Sequence, residues 1–159
     1  MKKIVEGLYL VLILICAFVF LTCGSNKGDK NSSPKCPNIE GTYNCITTLA
    51  ENTCSWAKDP IGTQYNSTLD IKQNECNLTI NEDGVSYKGN IDSEGNFSWS
   101  SILYITVDNC IYEINSFWEG KVSGAENLTG TITNTLLPYS GDCINYQECK
   151  ILESFIAEP

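Results

Sequence analysis

The chain of 159 residues contains no histidine and no arginine; its ten basic residues are all lysine. Without His there is no Ser-His-Asp or Cys-His nucleophile system and no imidazole ligand for zinc or haem. Without Arg there is no bidentate guanidinium clamp on a phosphate. Nineteen acidic residues set the net charge at −9. Such a chain lacks the cations that neutralise a phosphate backbone, so nucleic acid is not an expected partner. None of the nine cysteines falls in a C-x-x-C pair, which removes the usual zinc and redox motifs. A catalytic site would have to rely on carboxylates, Tyr, Lys or a thiol, and no carboxylate pair is recognisably placed. The chain therefore reads as a non-enzyme, with no cofactor and no metal expected.

Long hydrophobic runs are scarce too. The one at the start, Leu8 to Leu21, has 14 uncharged residues. As a helix it reaches about 21 Å, against a hydrocarbon core of roughly 30 Å. Lys2 and Lys3 precede it and Glu6 bounds it, the layout of a signal peptide. An uncleaved anchor is the alternative. The run ends Phe20-Leu21-Thr22-Cys23-Gly24-Ser25. This resembles the lipobox of bacterial lipoproteins, with Thr22 where Gly, Ala or Ser is usual and Leu21 one place closer to the cysteine. The resemblance implies a signal peptide over residues 1–22 and a lipidated Cys23 as the mature N-terminus. Gly24, rather than Asp, after the cysteine implies retention at the outer membrane of the cell envelope. Ordinary cleavage after Gly24, with Thr22 and Gly24 as the small pair, competes with this reading. Residues 24–38, GSNKGDKNSSPKCPN, carry no aliphatic side chain and read as a flexible tether, so that residues 23–38 form anchor and spacer.

Setting Cys16 and Cys23 aside with the signal leaves seven cysteines in a small exported domain, a density that points to disulfides. The candidates are Cys45, Cys54, Cys76, Cys110, Cys143 and Cys149, with Cys36 left over in the tether. Sequence alone does not give the connectivity. Cys143 with Cys149, and Cys76 with Cys110, are the preferred pairs.

Residues 39–159 read as one all-β domain. Cys76, Leu78 and Ile80 alternate with Asn77, Thr79 and Asn81; Val85, Tyr87, Gly89 and Ile91 alternate with Ser86, Lys88 and Asn90. The same period of two runs through Phe97–Val107, Cys110–Val122 and Leu128–Leu136, and short turns rich in Gly, Asn and Asp separate the runs. Strands are predicted at 39–47, 67–73, 75–81, 85–92, 96–107, 110–123, 128–137 and 146–156. The acidic turns 81–84 and 92–96 lack the spacing of a calcium loop and read as hairpin turns. Eight hairpin-linked strands close naturally into an up-and-down barrel; a two-sheet β-sandwich is the alternative.

Ile39-Glu40-Gly41-Thr42-Tyr43, Tyr87-Lys88-Gly89 and Leu128-Thr129-Gly130-Thr131 resemble the strand patterns of lipocalin-like barrels in envelope lipoproteins, with Tyr43 where Trp is usual. The resemblance implies an interior that takes a small apolar ligand. Tyr43, Tyr87, Trp99 and Tyr112 read inward and are the ligand-binding candidates. The competing expectation is a barrel filled by those rings, contacting envelope proteins or glycans through its surface. Tyr104 and Phe117 are out of phase with the inward set and should face outward.

Overall fold

The computed structural model describes residues 35–159, leaving out residue 125. The predicted signal peptide, Cys23 and most of the tether lie outside the described residues. Eight strands follow one another: β1 (Gly41–Asn52), β2 (Gln64–Asn74), β3 (Asn77–Glu82), β4 (Val85–Ile91), β5 (Asn96–Val107), β6 (Cys110–Ser123), β7 (Asn127–Gly141) and β8 (Cys149–Glu158). Each is antiparallel to its neighbours in the chain, and β8 returns to β1, closing a barrel in the order β1 to β8. The sandwich alternative is therefore excluded. Closure leaves no strand at the end of a sheet, which suits a chain whose segments are mostly short hairpins.

The hairpin turns are built from residues that tolerate a positive φ. Asp83 (48°) and Gly84 (83°) join β3 to β4, and Gly95 (82°) completes the β4–β5 turn. In that turn the Asp92 carboxylate accepts from the backbone N–H groups of Glu94 and Asn96 and from Asn96 Nδ2. These bonds hold its pKa below the usual carboxylate range. The acidic turn 92–96 is thus closed on itself, as hairpin geometry requires. Pro138 in β7 lies beyond Leu136, the last β7 residue paired with β8, so its missing N–H costs nothing on that side.

One end of the barrel is shut by Ile39 together with Cys36 and Pro37, which the composition assigned to the tether. Ile39 is buried, its N–H donates to Gln73 Oε1 (2.8 Å), and Gln73 Nε2 donates to Pro37 O (2.9 Å). Cys36 is bonded to Cys76 in the β2–β3 turn. Above this plug the inward side chains interlock as stacked rings. Phe97 lies on Trp99 (5.2 Å), Trp99 on Trp118 (5.2 Å), and Phe155 against Trp118 (5.1 Å). The rings have room because Gly120 and Gly130 face each other in register; a Cβ on Gly120 would meet the Phe97 ring at 2.7 Å. A second core closes the far end, where Tyr112 contacts Trp56 and Tyr146 beside Cys54, Cys110 and Cys149.

Two expectations about cysteine are corrected. Cys36 is not the leftover, and Cys45 is not in a bridge: Cys45 is a buried free thiol in mid-strand, facing the barrel interior. The pairs are Cys36–Cys76, Cys54–Cys149 and Cys110–Cys143. Cys76 could not have met Cys110, because in an up-and-down barrel the β2–β3 and β5–β6 turns sit at opposite ends. Cys143 and Cys149 flank one loop but are drawn to different neighbours. Asp142 N–H bonds to Asn109 O, bringing Cys143 to Cys110; Thr53 bonds with Lys150, bringing Cys149 to Cys54.

Candidate functional site

The strand walls are unequal. β3 and β4 have 6 and 7 residues, whereas β5, β6 and β7 have 12, 14 and 15. β4 is paired with β5 only from Ile91↔Phe97 to Lys88↔Ser100, so the tip of the β3–β4 hairpin parts from β5. Behind this step opens a half-enclosed cavity of about 250 Å³.

Its chemistry follows from a switch that most of the strands make at the same level. Two residues beyond the apolar stack, the inward position turns polar: Cys45 gives way to Thr47, Leu69 to Ser67, Ile80 to Glu82 and Trp99 to Ser101. On the other wall, Trp118 gives way to Ser116, Ile132 to Asn134 and Phe155 to Glu153. Tyr65, Tyr87, Leu103, Trp118 and Ile132 supply the apolar part of the lining. Alternation read by residue type places Ser, Thr, Asn and Glu toward water and so misses these residues. The signal was their phase: they fall in step with the buried residues of their own strands.

The polar groups form a connected wall. Ser116 Oγ donates to Asn134 Oδ1 (2.6 Å), and Asn134 Nδ2 donates to Glu153 Oε2 (3.0 Å). Thr47 lies close enough to the Glu153 carboxyl, and Ser101 to the Tyr87 phenol, to favour their ionised forms. Ser67 Oγ is out of solvent with no well-formed hydrogen bond, yet lies close enough to Glu82 and Cys45 to favour their ionised forms.

Among the described residues, no lysine lines the cavity. Burial pushes Glu82 above the usual carboxylate range, and the nearby Asp83 and Glu153 push it further. Burial does the same to Glu153, opposed by Asn134 and Thr47. Cys45, just below, is pushed up to about 12 by burial and by the two glutamates. The pocket is thus a desolvated, negatively biased site without its own counter-charge.

The four aromatic candidates are not brought together. Tyr87 lines the cavity. Tyr43 is buried at the closed end, its hydroxyl donating to Ile39 O (3.1 Å). Trp99 belongs to the ring stack and Tyr112 to the far cap. Trp118, not among the candidates, is the ring that joins the stack to the cavity wall. On the outside, Tyr104 and Phe117 are exposed, as their phase predicted. A larger groove of about 690 Å³ runs over the outer face of β4 to β7. It is open to solvent, and Asp92 in it is already satisfied by its own turn. The interior pocket, where charge is desolvated, is the stronger candidate.

No protein-family model, curated protein or solved structure matches the chain.

Proposed function

We propose that the chain is a lipoprotein of the bacterial cell envelope, held at the outer membrane through Cys23, whose barrel is a non-catalytic binding module for a small ligand. The ligand is a small organic cation with some apolar body. Its ammonium group is answered by Glu82 and Glu153, and its carbon body rests on Tyr87 and Trp118, rings that attract cations through their faces. The observation that carries this reading is a small cavity holding two part-buried carboxylates and, among the described residues, no lysine. A cavity of about 250 Å³ lies just below the usual size of ligand pockets, so the ligand has few heavy atoms. A long apolar molecule along the barrel axis would have to displace the Phe97–Trp99–Trp118 stack.

The test is calorimetry and thermal shift on the mature protein with alkylammonium and diamine compounds, each matched to a neutral alcohol of the same size. The cations should bind and raise Tm, while the alcohols do neither. Glu82→Gln and Glu153→Gln should each weaken binding by about tenfold to a hundredfold, the cost of one charged hydrogen bond. Equal responses to cations and alcohols would overturn the reading. The filled ring stack also favours a second reading, a rigid module that contacts envelope proteins. Silence across the whole panel would shift the weight there.

A further inference from the structure

The step that opens the pocket also exposes a strand edge. β5 is paired with β6 along its whole length, from Asn96↔Lys121 to Val107↔Cys110. On its other side pairing with β4 stops at Ser100. Among the described residues, no backbone bond reaches Ser101–Val107 from that side. Alternate residues of this stretch turn their N–H and C=O groups outward along an open edge. The stretch reads Ser-Ile-Leu-Tyr-Ile-Thr-Val, seven uncharged residues rich in β-branched and aromatic side chains, without Pro or Lys to block pairing. Ile102 (59 % exposed) and Tyr104 (55 %) stand on its outer face, and Tyr139 beside Tyr104 extends the apolar surface.

We propose that this edge pairs with the same edge of a second copy, antiparallel about a two-fold axis at Tyr104. Three observations favour a second copy. The edge is uncharged in a chain of net charge −9, so it is the part of the surface where two such chains meet with least repulsion. Centring on Tyr104 pairs all seven open residues, Ser101 with Val107, Ile102 with Thr106 and Leu103 with Ile105. It keeps outward residues opposite outward ones, as antiparallel pairing demands. The chain's own residues 24–34 are Gly, Ser, Asn, Lys and Asp with one Pro, a composition unsuited to adding a strand. The joint satisfies the idle backbone groups of both copies and covers Ile102 and Tyr104. This inference rests on the strand edge and is independent of the ligand assigned to the pocket.

Sedimentation velocity of the full mature chain, in density-matched detergent over a range of concentrations, tests it. A monomer–dimer equilibrium is expected, and it should tighten as salt screens the acidic surfaces. Ile102→Lys alters an exposed side chain, so the fold should hold while dimerisation weakens by about tenfold or more. Thr106→Glu added to Ile102→Lys sets Lys opposite Glu twice across the two-fold and should restore the dimer. Hydrogen exchange at residues 101–107 should slow in the dimer. A chain that stays monomeric at all concentrations overturns the proposal. So does a dimer indifferent to Ile102→Lys, or one that Thr106→Glu fails to rescue. A monomer with residues 101–107 already protected would put another segment of the chain on the edge and overturn it as well.

Discussion

Glu82 and Glu153 are ionisable groups held where ionisation is costly, and this sets a pH signature. The folded pKa of each is raised. Their contribution is therefore complete below the unfolded carboxylate pKa of about 4 and is lost as pH rises through the raised folded value. Glu82→Gln should raise Tm at neutral pH, and the gain should vanish near pH 4; a gain independent of pH would mean that Glu82 is not desolvated. The residue proposed to answer the ligand's charge is thus a burden on the empty fold, a common trade at binding sites. Cys45 makes a second residue-scale prediction. Buried, with its pKa pushed up to about 12, it should resist alkylation in the native protein and be labelled once the chain is unfolded without reductant. Site-resolved mass spectrometry that finds Cys36 labelled instead would contradict the pairing seen here. Gly130 is fixed by close approach: a Cβ there would lie 2.8 Å from the Phe155 ring and collide with the Glu119 carbonyl. Gly130→Ala should cost about 1–3 kcal/mol in denaturant unfolding, as overpacking does.

At the scale of the element, the strands were largely legible. β5 and β6 have the predicted bounds, and six other predicted runs coincide with strands to within a few residues. Period-two alternation specifies a half-buried strand directly, and the Gly, Asn and Asp turns punctuate it. What escaped was which polar residues turn inward. Ser67, Ser101, Ser116 and Asn134 look like surface residues by type, and only their level in the closed barrel sets them around one cavity. The disulfides show the same limit, because the pairing of Cys36 with Cys76 depends on residues 36–39 folding back over the closed end. Replacing both Cys36 and Cys76 by Ser should cost about 2–5 kcal/mol and loosen that end. Cation binding at the other end should persist, since the two bridges there, Cys54–Cys149 and Cys110–Cys143, remain. Loss of binding together with the plug would mean that the two ends are not independent.

For the whole molecule, the barrel is a rigid frame with one irregular sector, the short β3–β4 hairpin, and both proposed surfaces lie there. The proposed anchor is tested at the same scale: Cys23→Ala should abolish fatty-acid labelling and release the domain from the membrane fraction. Retention of the variant would favour an uncleaved N-terminal helix. By itself, the sequence determined the class of fold, the strands, the absence of His and Arg chemistry and the oxidised state of most cysteines. Each of these depends on residue type or on neighbours within a few positions. Only the tertiary structure decided which cysteine among the described residues stays free, that the rings fill the lower barrel, and that two glutamates share a half-enclosed pocket beside an open strand edge. Those outcomes depend on residues far apart in the chain meeting at one level of the barrel, and that level is set by strand length and register, which local pattern does not encode.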